Sequence, residues 1–118
     1  MEQSQLPVAQ LKAELFKALG HPVRIQVLEQ LVSGERSVGS IADALNSDVS
    51  NLSQQLAVLR RAGVVSTRRD GNAIYYGLRD PAMATLLQTA RQMIVDGLRD
   101  RADLLAGLGD TPTARPSA

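Results

Sequence analysis

Cysteine is absent from the 118 residues, which excludes disulfides, thiolate metal sites and thiol redox sensing. Trp is also absent, Phe16 is the only phenylalanine, and aromatics total 3%. The core must therefore be built from Leu, Ile, Val and Ala, a palette that favours helices over a β-sandwich. No apolar run has the length of a membrane span. The first residues lack the basic-then-apolar pattern of a signal peptide, and a cytoplasmic location is expected. The chain has one histidine, His21, no Gly-rich phosphate loop and no nucleophile–base pair. An enzyme is not expected, and Ser53 among amides is not a triad.

What is present is a charge pattern. The net charge is only +1, yet it is unevenly placed. Residues 49–79 hold five Arg against one acid, Asp70, while residues 1–48 hold four cations and six acids. Residues 80–110 are acidic again, with three cations and five acids. A basic middle between acidic flanks points to a localised polyanion contact, against the plainer alternative of scattered solvated Arg.

The length suits one domain, without internal repeat or linker. The expected boundaries are a flexible stretch over 1–5, a domain over 6–108 and a disordered tail over 109–118. Pro7 begins a first helix to about Leu19, with Leu11, Leu15 and Leu19 every fourth residue and Gly20 as its stop. Pro22 opens a second helix that Gly34 ends. Ser37 caps a short third helix with Ile41, Ala42 and Leu45 inward. Asp48 or Ser50 caps a fourth through Leu52, Leu56 and Leu59, ending at Ala62-Gly63. The period then falls to two. Val64 to Arg69 and Ala73 to Arg79 read as strands around Asp70-Gly71-Asn72, a strong hairpin signal. Ile74, Tyr76 and Leu78 share one face; Ala73, Tyr75 and Gly77 the other. Asp80-Pro81 opens a long last helix.

The expected fold is thus mainly α with a small β-hairpin, about five helices in the order of a winged helix-turn-helix. A short helix, a tight turn and a second helix present that second helix outward, so that it can enter a DNA major groove. Its outward residues over Asp48 to Gln55 are Ser50, Asn51, Ser53, Gln54 and Gln55, types that hydrogen-bond base edges or phosphates. Val49 can touch a thymine methyl, and the helix N-terminus can hold a phosphate. Arg60 and Arg61 lie further along; Arg68, Arg69 and Asn72 flank the hairpin tip, where Arg grips backbone or minor groove. By itself a polar helix face is more often plain solvent-facing surface. The preceding helix, the turn and the Arg-tipped hairpin favour DNA.

Three stretches resemble the ArsR/SmtB family of bacterial winged-helix regulators. These are Ala18-Leu19-Gly20-His21-Pro22-Val23-Arg24-Ile25, the run from Ser50 to Val65, and Arg69 to Tyr76. They fall in the family's order and spacing between Leu11 and Leu105. The resemblance implies a sequence-specific double-stranded-DNA-binding regulator, usually a repressor, acting as a homodimer on an inverted repeat. It implies dimer contacts from the first and last helices: Leu11, Leu15, Leu86, Met93, Ile94, Leu98 and Leu105.

The chain departs from the family's metal sensors. Ser37 and Gly39 stand where thiolate sensors carry their Cys pair. The last helix offers Asp96, Asp100 and Asp103 on one face but no His. Carboxylates alone suit Mg²⁺ or Ca²⁺ better than zinc, and a solvated acidic face is the plainer reading. His21 is expected to be packed and hydrogen-bonded, with a nickel or cobalt site joining it to Glu14 as the minor alternative. No cofactor is required; an organic effector or a partner protein could act instead. A winged-helix protein-interaction module without specific DNA binding is the competing function.

Overall fold

The computed structural model describes residues 7–109. Helix α1 (Val8–Leu19) starts on Pro7, which stands at the cap rather than within the first turn. The chain turns at Gly20, where an added Cβ would meet the Phe16 carbonyl at 3.3 Å. Helix α2 (Pro22–Gln30) is capped by His21, whose Nδ1 accepts the Val23 N–H at 3.1 Å. That is the packed, hydrogen-bonded role expected of it. The helix stops at Gln30, short of the expected Gly34. Tight turns follow, with the Val32 N–H donating to Glu29 and the Gly34 N–H to Leu31. Such turns have a period near three, so Leu31 stays buried and the apolar spacing outlasts the helix.

Strand β1 (Arg36–Ser37) was not expected; two residues are too few to display an alternation. Ser37 then caps α3 (Val38–Leu45), its Oγ accepting the Ser40 N–H at 3.1 Å. Asn46 ends α3 in the left-handed conformation, φ 52°, which asparagine tolerates better than most residues. Asp48, rather than Ser50, caps α4 (Val49–Arg61): its Oδ1 accepts the Asn51 N–H at 2.6 Å. Gly63 reverses the chain at φ +76°.

The hairpin comprises β2 (Val65–Asp70) and β3 (Ala73–Leu78). Asp70 pairs with Ala73, so the turn is Gly71-Asn72 alone, one residue shorter than expected. Gly71 takes φ +64° at the first turn position, as a type II′ hairpin requires. The antiparallel sheet has the order β1-β3-β2. Its register puts Ile74, Tyr76 and Leu78 opposite Arg69, Thr67 and Val65 on one face. Ala73, Tyr75 and Gly77 oppose Asp70, Arg68 and Ser66 on the other, as the alternation predicted.

The core collects the apolar faces of α2, α3 and α4. Val27, Leu28, Ile41, Leu52, Leu56 and Leu59 are each 0% exposed, and no charged or polar residue is buried among the described residues. Three leucines at i, i+4 and i+7 therefore fix which side of α4 faces outward. Helix α5 (Ala82–Gly109) follows Asp80, whose Oδ1 accepts the Ala82 N–H at 2.9 Å. The contacts within the chain divide into one unit ending at Ala84 and a second beginning at Thr85. Gly109, expected in the tail, is the last residue of α5. The expectations for 1–5 and for the rest of the tail lie outside the described residues.

Candidate nucleic-acid interface

The buried leucines of α4 leave Ser50 and Gln54 exposed on the opposite side and Asn51 and Ser53 exposed on the flanks, while Val49 is 48% exposed as the first residue of the helix. Beyond them Arg60 and Arg61 are exposed on the last turn, where cations suit the helix C-terminus. Ser53, Ala57, Arg60 and Arg61 line an open groove with Tyr76 as its other wall. Tyr76 shares its hairpin face with Arg69 and Ile74, so that face adjoins the outer side of α4. The exposed helix face, the groove and the hairpin form one surface carrying amides, hydroxyls and guanidinium groups. Asn72 and Arg69 are exposed beside the hairpin tip.

Three expectations need correction. Gln55 is not a free outward amide: it is half-buried, and its Oε1 accepts from Arg24 Nη1 at 3.0 Å. The N-terminus of α4 is not an open phosphate seat, because the Asp48 carboxylate already takes the Asn51 N–H and would repel an anion. Arg68 is not a free cation. Its Nε donates to Glu35 Oε1 at 2.9 Å, and its guanidinium lies 4.9 Å over the Tyr75 ring. Glu35 reaches it across the back of the hairpin, where Gly77 leaves room; a Cβ at Gly77 would meet Glu35 Cγ at 3.2 Å. The hydrogen bond and charge of Glu35 raise the Arg68 pKa above an already high value. The stability this contributes is present below the ordinary arginine value and lost only as pH climbs past the raised one. Arg68 thus stays charged at any neutral or acidic pH.

The candidate metal ligands do not assemble. Among the described residues no three of His, Asp and Glu come together as a site. Asp96, Asp100 and Asp103 are exposed along one helix, and Asp96 accepts from Gln92 Nε2 at 3.0 Å. A rigid helix separates residues seven apart by about 10 Å along its axis, so such a row cannot close on one cation. Glu14 is exposed on α1, and the Nδ1 lone pair of His21 is occupied by its capping bond. The expected dimer residues behave differently. Leu11, Met93, Ile94, Leu98 and Leu105 are exposed apolar side chains; Leu15 and Leu86 are half-buried. Among the described residues no helix is long and apolar enough to cross a membrane.

Arg24, Glu35 and Tyr76 carry roles here that their sequence positions did not assign. Arg24 falls two residues after Pro22, within the first of the three family-like stretches. The available signal was an Arg within the apolar-spaced second helix, whose five donors would need acceptors if the helix packed there.

Residues 21–67 match the arsR family of bacterial regulatory proteins. An uncharacterized HTH-type transcriptional regulator of Mycobacterium tuberculosis, Rv0081, is 54% identical over 106 residues, which is 86% of this chain and 90% of the relative. Its crystal structure superposes with a TM-score of 0.75 at 52% identity, covering 83% of this chain and 99% of that one. The biofilm growth-associated repressor of Xylella fastidiosa is 44% identical over 75 residues, 64% of this chain and 66% of that protein. A homodimeric winged helix-turn-helix DNA-binding domain of Mycobacterium bovis, solved by NMR, matches with a TM-score of 0.73 at 28% identity, covering 84% of this chain and 95% of that one.

Proposed function

This chain belongs to the ArsR family of bacterial regulatory proteins, and from that premise we propose that it represses transcription as a homodimer on an inverted-repeat operator. It is a winged helix-turn-helix transcription regulator and not an enzyme. In our reading Ser50, Ser53 and Gln54 read base edges in the major groove, and Val49 meets a thymine methyl. Asn51 and Arg60 reach flanking phosphates, and Arg69 and Asn72 hold backbone or minor groove. Arg68 braces the hairpin from behind through Glu35. The observation that carries this reading is the common surface: the polar side of α4 and the face of Tyr76 and Arg69 border one groove.

The proposed dimer pairs the exposed apolar residues of α5 and α1 across a two-fold axis, which suits a palindromic site. Two recognition helices would then meet half-sites roughly 34–36 Å apart. The repressor named above supports repression as the output, and work on DNA implies the cytoplasm.

The test is titration of the purified chain on a duplex selected by it from a random pool, against a scrambled duplex, over a salt series. The expected result is two chains per selected duplex, a steep loss of affinity with salt, and preference for the selected sequence. Equal affinity for both duplexes would sink sequence-specific recognition. No binding even at low salt would favour a protein-interaction module.

A further inference from the structure

The end of α1 leaves carbonyls without intrahelical partners, as every helix does. Here one side chain from α2 collects them. Arg24 Nε donates to the Ala18 carbonyl at 2.6 Å, and Nη2 to that of Lys17 at 3.4 Å, which also accepts the Gly20 N–H at 3.2 Å. The same guanidinium sends Nη1 to Gln55 Oε1, 3.0 Å away and 31 residues on, in the middle of α4. A single planar group thus joins the end of one helix to the side of another. A guanidinium only donates, so the Gln55 oxygen must face Arg24, and the amide orientation is settled chemically.

Gln55 directly follows Gln54 and precedes the buried Leu56. It stands at the border between the packed and exposed sides of α4. Leu52, Leu56 and Leu59 bury one side, but apolar contacts are non-directional and tolerate small rotations and slides. A charge-assisted hydrogen bond at the border is directional and does not. Base reading requires side chains held within a fraction of an ångström, so such a constraint matters more to recognition than to folding.

We propose that Arg24 is a positioning residue for DNA recognition: through Gln55 it sets the pose of α4 against the end of α1. This rests on the reading that the exposed side of α4 faces bases. Arg24 touches no DNA in this scheme, and Gln55 acts by holding the helix rather than by contacting a base.

The experiment measures the ratio of scrambled-duplex to selected-duplex Kd at one salt concentration, with thermal unfolding of each variant. Gln55→Ala removes the α4 link and leaves the α1 cap in place. It should lower the ratio about tenfold while barely moving Tm, a loss suited to one charge-assisted hydrogen bond. Arg24→Lys, which has no fork to span both acceptors, should lower it similarly. The double variant should be no worse than either single one, because both break the same link. Gln55→Glu keeps an acceptor for Arg24 and should hold the ratio within about threefold of wild type.

A ratio unchanged in Gln55→Ala overturns the proposal. So do losses that multiply in the double variant, or a Gln55→Glu loss as deep as that of Gln55→Ala, since both would place Gln55 on the DNA itself. If Arg24→Lys fails to fold, the comparison of Gln55→Ala with Gln55→Glu decides alone. Failure of the underlying reading is distinguishable: the wild-type ratio would be near one, or Gln54→Ala would leave it unchanged.

Discussion

Helices α4 and α5 are both amphipathic, and they treat their apolar residues in opposite ways. In α4, Leu52, Leu56 and Leu59 are each 0% exposed, and the side left to solvent is polar. In α5, Met93, Ile94, Leu98 and Leu105 are 56–70% exposed within the single chain. An apolar stripe of that length left in water is costly, which is why the proposed dimer places a second chain over it. The contrast separates two kinds of incompleteness. Helix α4 is finished as a folding unit and offers hydrogen-bonding groups to a polar ligand; α5 is unfinished as a folding unit and offers oil.

The comparison can be broken at either helix. The largest effect is expected from Leu56→Ala, which opens a cavity in the core. It should cost about 2–5 kcal/mol in denaturant unfolding, with DNA binding lost in proportion to the unfolded fraction. Next is Ile94→Asp, which places a charge in the α5 stripe. It should weaken self-association by on the order of a hundredfold in sedimentation, since a buried unpaired charge opposes contact. Far-ultraviolet circular dichroism should retain the helical signal. A dimer unchanged in stability would show that this stripe is not the interface.

Smaller effects test the polar side of α4 and the hairpin. Gln54→Ala should reduce discrimination between selected and scrambled duplexes by about 1–3 kcal/mol without changing the salt slope. An equal loss on both duplexes would remove Gln54 from base reading. The smallest effects separate two neighbouring arginines. Arg69→Ala should reduce the salt slope by roughly one. Arg68→Ala should leave that slope nearly unchanged, because its charge is already partnered by Glu35. Matching slope changes in the two variants would return Arg68 to the phosphate contact.

Much of this was legible in the chain because the controlling interactions are local. Ser37, Asp48 and His21 cap helices within two or three residues of themselves. Gly71 marks the hairpin through its own φ. Leucines spaced by four and three declare the buried side of α4 without reference to the rest of the molecule. Some of the errors arose from contacts distant in sequence; the others, at the end of α2, in the hairpin turn and at the Asp48 cap, were local. Arg68 finds Glu35 at a separation of 33 residues, and Gln55 finds Arg24 at 31. Strand β1 exists only because Arg36 and Ser37 meet Tyr76 and Tyr75.

The amino-acid order alone therefore determined every element but β1, along with the polar side of α4, the Arg-bearing hairpin and the absence of a thiolate sensor. Periodicity, capping and composition are properties of neighbouring residues. The tertiary structure decided which of the exposed-looking polar groups are free. It tied Gln55 to Arg24 and paired the still-exposed Arg68 with Glu35, and it left the candidate metal ligands scattered. Charges and amides choose partners by proximity in space, and a linear sequence does not display that proximity.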